Sequence, residues 1–439
     1  MKIIAKKPRI CFALPGIHYT AHSPYIRSTL PMLPYLAEDF EITLVYRKML
    51  DPQPYDHPEH RYLTILDPTQ LSSKEQQSTQ EYFALPNYIA FWKYRQTIAQ
   101  FAQKHATDFD LIFEKEWAWL GMFAQAFHPY QIPTLILIEA FYKYQKIQQA
   151  GWLKQLTSIG IQPFRLALRK HWSQAVDSIV VETRQMQKML QAHGQVTPQQ
   201  PIFPIPYGVD SEIFKVRDRN QCRQQLGIKV DDLVLTYVGS LNRFIQEPGA
   251  MIEALGRERP ANVVLYMVGD GRKQSELEDL ARQYQAPVVF TGRQPQSVAA
   301  LYIGAANLCV APYNKYLYLD DQFTCASLKI PEYLSCGRLV LSIRCERMDD
   351  LLDHERYGFV VDNRVESYCQ FFRNLPRQTY LSQMEQTLLH DLNAGILKSK
   401  EILFRWWEIA DMYKEAIERT LAGKRKISPG KHVSRVANF

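Results

Sequence analysis

Short runs of aliphatic and β-branched residues recur along this chain, separated by stretches whose apolar positions return every three or four residues. In the first half the runs are Arg9–Leu14, Glu41–Tyr46, Asp110–Glu114, Thr134–Ile138 and Ser178–Glu182. In the second half they are Leu233–Val238, Asn262–Val268, Val288–Thr291, Asn307–Ala311 and Arg338–Ile343. A run that is apolar at nearly every position predicts a strand covered on both faces, the habit of parallel sheets. Strands alternating with amphipathic helices through both halves predict an α/β chain with two Rossmann-like, doubly wound domains.

The divide between them is legible. Thr197–Pro206 carries prolines at 198, 201, 204 and 206, which predicts a stiff extended connector. Asp51–Pro68, rich in proline and histidine, predicts a surface loop. Ile402–Ala422 has a helical pattern, with Phe404, Trp406, Trp407, Ile409, Ala410 and Met412 as its apolar face. The expected parts are residues 1–203, 204–400, a helix over 401–423 and a tail over 424–439. That tail holds Lys424, Arg425, Lys426, Lys431 and Arg435 without an acidic residue.

Composition narrows the class. With 46% hydrophobic and 22% charged residues, the 439-residue chain can bury large cores, which excludes a disordered or collagen-like protein. A net charge of +7 is too small an excess to indicate nucleic acid, and it suits an anionic substrate or membrane surface equally. The seven cysteines are scattered and form no Cys-x-x-Cys pair, so a reducing compartment is expected and a zinc site is not. His18 and His22, like His57 and His60, lie close in sequence without a thiol or carboxylate pattern for metal binding. Lys2, Lys6, Lys7 and Arg9 precede an apolar run that Pro15-Gly16 ends after five residues, too short for a signal peptide. No run of 18 apolar residues occurs, and a cytoplasmic location is expected.

Four stretches carry the candidate chemistry. Tyr207-Gly208-Val209-Asp210, followed by Phe214, opens the second half. Tyr237-Val-Gly-Ser240 ends a strand and leads past Arg243 to a helix near Pro248, aiming a helix N-terminus and a cation at one place. Gly269-Asp-Gly271 ends the next strand, and Phe290-Thr-Gly292 the one after. Ser327-Leu-Lys-Ile-Pro-Glu-Tyr-Leu-Ser-Cys-Gly337 puts Lys329 and Glu332 three apart, on one side of a helical turn. Singly, each has a plainer account: glycines after strands permit turns, and a Lys and Glu at that spacing make surface ion pairs.

Together, in this order, they resemble the donor-binding domain of GT-B glycosyltransferases, most closely glycosyltransferase family 4, over about residues 200–365. The resemblance implies two Rossmann-like domains facing a cleft, with the C-terminal helix crossing back to the first. It implies retaining transfer of a sugar from a nucleotide diphosphate sugar, with no cofactor and no required metal. It assigns donor binding to Gly16, Tyr207, Gly208, Gly239, Gly269, Gly271, Thr324, Ser327, Leu328 and Glu332, the glutamate holding the ribose hydroxyls. Lys329 and Arg243 would stabilise the diphosphate leaving group, Arg being a good bidentate partner for phosphate.

The departures are specific. Family members often carry a second glutamate eight positions before the first, where this chain has Thr324, with Asp320 and Asp321 nearby as substitutes. The usual Lys-Gly after the glycine strand is absent. In the first half the Gly-Gly loop is here Pro15-Gly16-Ile-His18, and Glu114, Glu116 and Glu139 follow strands where members place histidines. These three glutamates are candidates for positioning an acceptor hydroxyl, or ordinary strand-end residues. The departures also leave room for a GT-B scaffold without transfer activity, or for an epimerase or hydrolase.

One further stretch bears on location. Between Glu139 and Asp177 no acidic residue occurs, while Lys143, Lys146, Lys154, Arg165, Arg169 and Lys170 alternate with aromatics and aliphatics from Phe141 to Trp172. Such a stretch suits an anionic bilayer surface near a membrane-bound acceptor, or a helical pair packed on the first sheet with a basic rim.

Overall fold

The computed structural model describes residues 6–19, 28, 30–49, 63–65, 85–115, 121–139, 167, 170–173, 176–241, 245–318 and 321–424. The chain divides into two compact units. One contains the chain through Glu139, the described residues that follow to Ile205, and the end of the chain from Ala410; the other contains Pro206–Ile409.

The first unit is a seven-stranded parallel sheet. Its strands are β1 (Arg9–Tyr19), β2 (Glu41–Met49), β3 (Leu63–Ile65), β4 (Leu111–Lys115), β5 (Thr134–Ile138), β6 (Ser178–Val181) and β7 (Ile202–Pro204), in the order β3-β2-β1-β4-β5-β6-β7. β4, β5 and β6 are buried at every position, as their unbroken apolar runs require. The helix Leu85–His105 packs with the helix Met122–Phe127 through edge-on contacts of Phe101 with Phe123 and Phe127. Trp172, 3% exposed, belongs to the same core with Arg95 stacked on its ring at 5.3 Å.

The second unit is a six-stranded parallel sheet of β8 (Leu233–Val238), β9 (Val263–Val268), β10 (Val288–Gly292), β11 (Leu308–Ala311), β12 (Leu339–Ile343) and β13 (Gly358–Val361). Its order is β10-β9-β8-β11-β12-β13. Strand order reverses between β8 and β11 here and between β1 and β4 in the first sheet, the place where open parallel sheets take ligands at their carboxyl ends. All seven cysteines are buried free thiols.

Several expectations are corrected. β7 and β3 lie inside the stretches expected as connector and loop, and β13 is a strand the pattern missed. β7 holds Pro204 because it is the sheet edge, where a missing N–H is not needed. β1 does not stop at Leu14 but runs on to Tyr19, absorbing Gly16 in a break of register between Leu14 and His18. The last long helix is Trp406–Lys424, starting four residues later than expected, and it passes from the second unit into the first at Ala410. Trp407 is 43% exposed and leaves the apolar face, with the Lys398 ammonium over its ring at 5.4 Å. Trp172, counted among residues for a bilayer, is core instead. Among the described residues no helix is long and apolar enough to cross a membrane.

Candidate active site

The second unit gathers its candidates at the carboxyl ends of β8, β9 and β11. Gly239 follows β8 with φ of 152°, a conformation in which a side chain is disfavoured. A Cβ added there would also lie 2.5 Å from Cε and 2.7 Å from Nζ of Lys329, so the lysine stem occupies the space a side chain would take. Gly269, at the end of β9, approaches as closely: a Cβ there would stand 2.0 Å from the Gly239 carbonyl oxygen. Two bare backbones thus abut where the sequence shows glycine after each strand.

Lys329 opens the helix Lys329–Ser335. Its ammonium lies 5.3 Å from the ring centre of Tyr237 and 5.8 Å from that of Tyr313. The helix is held down by Tyr333, whose hydroxyl accepts from the Val238 N–H at 3.0 Å and donates to the Val238 carbonyl at 3.4 Å. Burial pushes the Tyr333 phenol well above its usual range, so it remains a neutral donor and acceptor. Glu332 sits on the same helix, 8% exposed. The Ser327 hydroxyl accepts from the Ile330 N–H at 3.3 Å and shares a hydrogen bond with the Tyr313 hydroxyl, which ties the helix start to the end of β11.

Other candidates hold the frame. Gly208 meets the Trp406 backbone: a Cβ there would stand 2.8 Å from Trp406 Cα, and the Val209 N–H donates to the Phe404 carbonyl at 2.9 Å. The Gly208-Val209 motif therefore anchors the segment returning to the last helix, and Tyr207 is half-buried beside it. Asp210 accepts from the N–H groups of Glu212 and Ile213, closing the turn that buries Phe214. Gly271 follows Asp270, whose carboxylate pairs with Arg293 at 3.1 Å. Leu328 is the half-buried residue before the helix. Thr324 is 2% exposed, next to Phe323, which stacks on Tyr313 at 4.3 Å. The helix expected near Pro248 runs Gly249–Glu258, and Pro248 gives its first N–H groups no side-chain cap. The segment before it pairs with the end of β11, Glu247 N–H to the Pro312 carbonyl at 2.9 Å and Asn314 N–H to Ile245 at 2.8 Å. Arg243 and Asp320 lie outside the described residues.

In the first unit Glu114 is buried, and its carboxylate accepts from the N–H groups of Met122, Phe123 and Ala124 at 2.9, 3.0 and 3.0 Å. It caps the helix start rather than facing solvent. Lys115, buried at the end of β4, pairs with Glu139 after β5 at 2.8 Å and donates to the Ser28 hydroxyl at 2.9 Å. Tyr413 of the last helix lies in their field: burial, then Glu182 and Glu139, push its phenol up. Glu116 lies outside the described residues. The sequence pattern passed over Lys115, Tyr237 and Tyr313 as parts of sites. Tyr313 carried one signal, an aromatic within the first residues after a switch-point strand.

Residues 232–375 match the family described as glycosyl transferases, group 1. No curated protein sequence matches the chain. Among solved structures, sucrose-phosphate synthase from Thermosynechococcus elongatus is 18% identical with a TM-score of 0.71, covering 95% of this chain and 100% of that one. Anabaena HepE, solved with UDP and glucose, is 15% identical with a TM-score of 0.65, covering 94% and 100%. WaaG, a glycosyltransferase involved in lipopolysaccharide biosynthesis, is 17% identical with a TM-score of 0.64, covering 90% and 99%. At these identities the likeness establishes the fold, and the family match is to residues 232–375 within the second unit. The chain has the two-domain GT-B fold, and residues 232–375 of its second unit match the group 1 glycosyl transferases.

Proposed function

We propose that this protein is a glycosyltransferase that uses a nucleoside diphosphate sugar, transfers the sugar with retention of anomeric configuration, and requires no divalent metal. The observation that carries the donor class and the metal independence is Lys329, set over the bare backbone of Gly239 at the switch point of the second sheet, while retention follows from the family resemblance. A diphosphate laid along that backbone meets an ammonium where negative charge grows as the glycosidic bond to phosphate breaks. Stabilising that charge is what a divalent ion does in other transferases. Arg243 follows in the next loop by sequence and adds a second cation. Glu332, one turn beyond Lys329, accepts hydrogen bonds from the ribose hydroxyls. The relatives solved with UDP and with UDP-glucose support this class of donor.

On the acceptor side, Glu139 is the glutamate best placed to meet a hydroxyl. It stands after β5 with 14% of its side chain exposed, whereas Glu114 is spent on a helix cap. The basic stretch from 141 towards 170 and the basic tail suit an acceptor at an anionic membrane surface, with the protein on its cytoplasmic face. Product analysis tests the transfer itself: proton NMR of the product formed from an α-linked donor should show an α-linkage. A β-linked product contradicts retention, and free sugar or an epimer formed from donor alone contradicts transfer.

A further inference from the structure

Lys329 is a long side chain with large rotamer freedom, and a strongly hydrated ammonium has no intrinsic reason to stay over one glycine. Two aromatic faces surround it. The ring centres of Tyr237 and Tyr313 lie 5.3 and 5.8 Å from Nζ, both within the range over which a ring face attracts a cation. Neither ring is free to turn away. Tyr237 is fully buried in β8 and its hydroxyl donates to the Ser240 carbonyl at 3.0 Å. Tyr313 is 3% exposed, stacks on Phe323, and hydrogen-bonds Ser327. Its own carbonyl accepts from the Asn363 amide at 3.1 Å. The Ser327 hydroxyl in turn receives the N–H of Ile330, beside Lys329 itself, so the ring and the helix that carries the lysine are fastened to each other.

We propose that Tyr237 and Tyr313 are positioning residues, an aromatic clamp that fixes the Lys329 ammonium over Gly239 for the donor diphosphate. The inference rests on the donor reading of this site. A ring face attracts the cation without adding a formal charge of its own. Burial pushes the Tyr313 phenol well above its usual range, so the ring stays neutral and does not become an anion beside the lysine. The clamp thereby replaces flexibility with a preset geometry, which lowers the ordering cost of binding.

The test is titration calorimetry with the tightest binder among UDP, ADP and GDP, and with the corresponding nucleoside. Tyr237→Leu and Tyr313→Leu should each weaken the nucleoside diphosphate by about three- to thirty-fold, the range of one cation–π contact, and leave nucleoside affinity unchanged. Tyr313→Phe keeps the ring and should stay within about two-fold of the parent. In a Lys329→Ala background Tyr313→Leu should add no further loss, since the lysine it positions is gone. Should Tyr313→Leu not fold, phenylalanines of increasing fluorination at 313 keep the shape and weaken the ring face stepwise. Diphosphate affinity should then fall with each fluorine. Leucine variants that bind the diphosphate like the parent, equal losses for nucleoside and diphosphate, or a flat fluorination series would overturn the clamp. A Lys329→Ala protein that binds the diphosphate like the parent, or a parent that binds none of the three, would overturn the donor reading instead.

Discussion

Gly239 and Lys329 compete for one volume: the lysine stem fills the place where a side chain on residue 239 would begin, 2.5 Å from Cε and 2.7 Å from Nζ. The glycine is thus required twice, by its backbone angle and by the side chain lying over it. Gly239→Ala should displace Lys329 and weaken nucleoside diphosphate binding by about 1.5–3 kcal/mol, the size of a lost charge-assisted hydrogen bond. It should also lower stability by about 1–3 kcal/mol for the strained φ. Calorimetry and a denaturation curve separate the two effects, and an alanine variant with parental affinity would show that the contact has no role in binding.

Glu332 makes a different prediction, because its proposed partner is the ribose. Glu332→Ala should cost about 1.5–3 kcal/mol of nucleotide affinity. The parent should prefer a ribonucleoside diphosphate to its 2′,3′-dideoxy analogue, and the variant should lose that preference. A variant that still discriminates between the two sugars would remove Glu332 from the ribose site.

Glu114 should behave as a structural residue. Its carboxylate satisfies three buried N–H groups at the start of Met122–Phe127, and an amide in its place can accept at only one of its two heavy atoms. Glu114→Gln should lower unfolding free energy by about 2–4 kcal/mol, through buried donors left unsatisfied. Its kcat per folded molecule should match the parent at a temperature where both are folded. A large fall in kcat at unchanged stability would return this glutamate to the chemistry.

Membrane association has its own measurement. Sedimentation with vesicles should require anionic lipid, weaken as salt screens the charges, and fall when Arg165, Arg169 and Lys170 are changed together to glutamate. Equal sedimentation with neutral vesicles, or none with anionic ones, contradicts a charge-driven surface.

Much of the fold was legible because parallel strands buried on both faces leave unbroken apolar runs. β4, β5, β8, β11 and β12 fall where those runs lie. The strands that were missed are short or at edges: β3 and β7 have three residues each, and β7 includes Pro204 in a stretch whose prolines usually mean a connector. The placing of Gly239 and Gly269 after strands, and of Lys329 and Glu332 within one helical turn, was legible from spacing, whereas their proposed donor role came from the family resemblance. Gly208 was legible as important but not as a packing contact, because Trp406 lies about two hundred positions away in sequence. Lys115 was hidden for the opposite reason. A lysine between two glutamates looks like a solvated charge run until β4 buries it and β5 delivers Glu139 to it.

In the proposed reaction Lys329, not a metal, neutralises the leaving diphosphate. The most direct measurement is nucleoside diphosphate release during transfer, followed for the parent and for Lys329→Ala, each with and without EDTA. The parent should be as fast in EDTA as without it, and Lys329→Ala should lower kcat about 10²-fold, the scale of removing one group that stabilises transition-state charge. Parent activity lost in EDTA and restored by magnesium or manganese, or a Lys329→Ala enzyme with parental kcat, would show that Lys329 does not take the place of a metal.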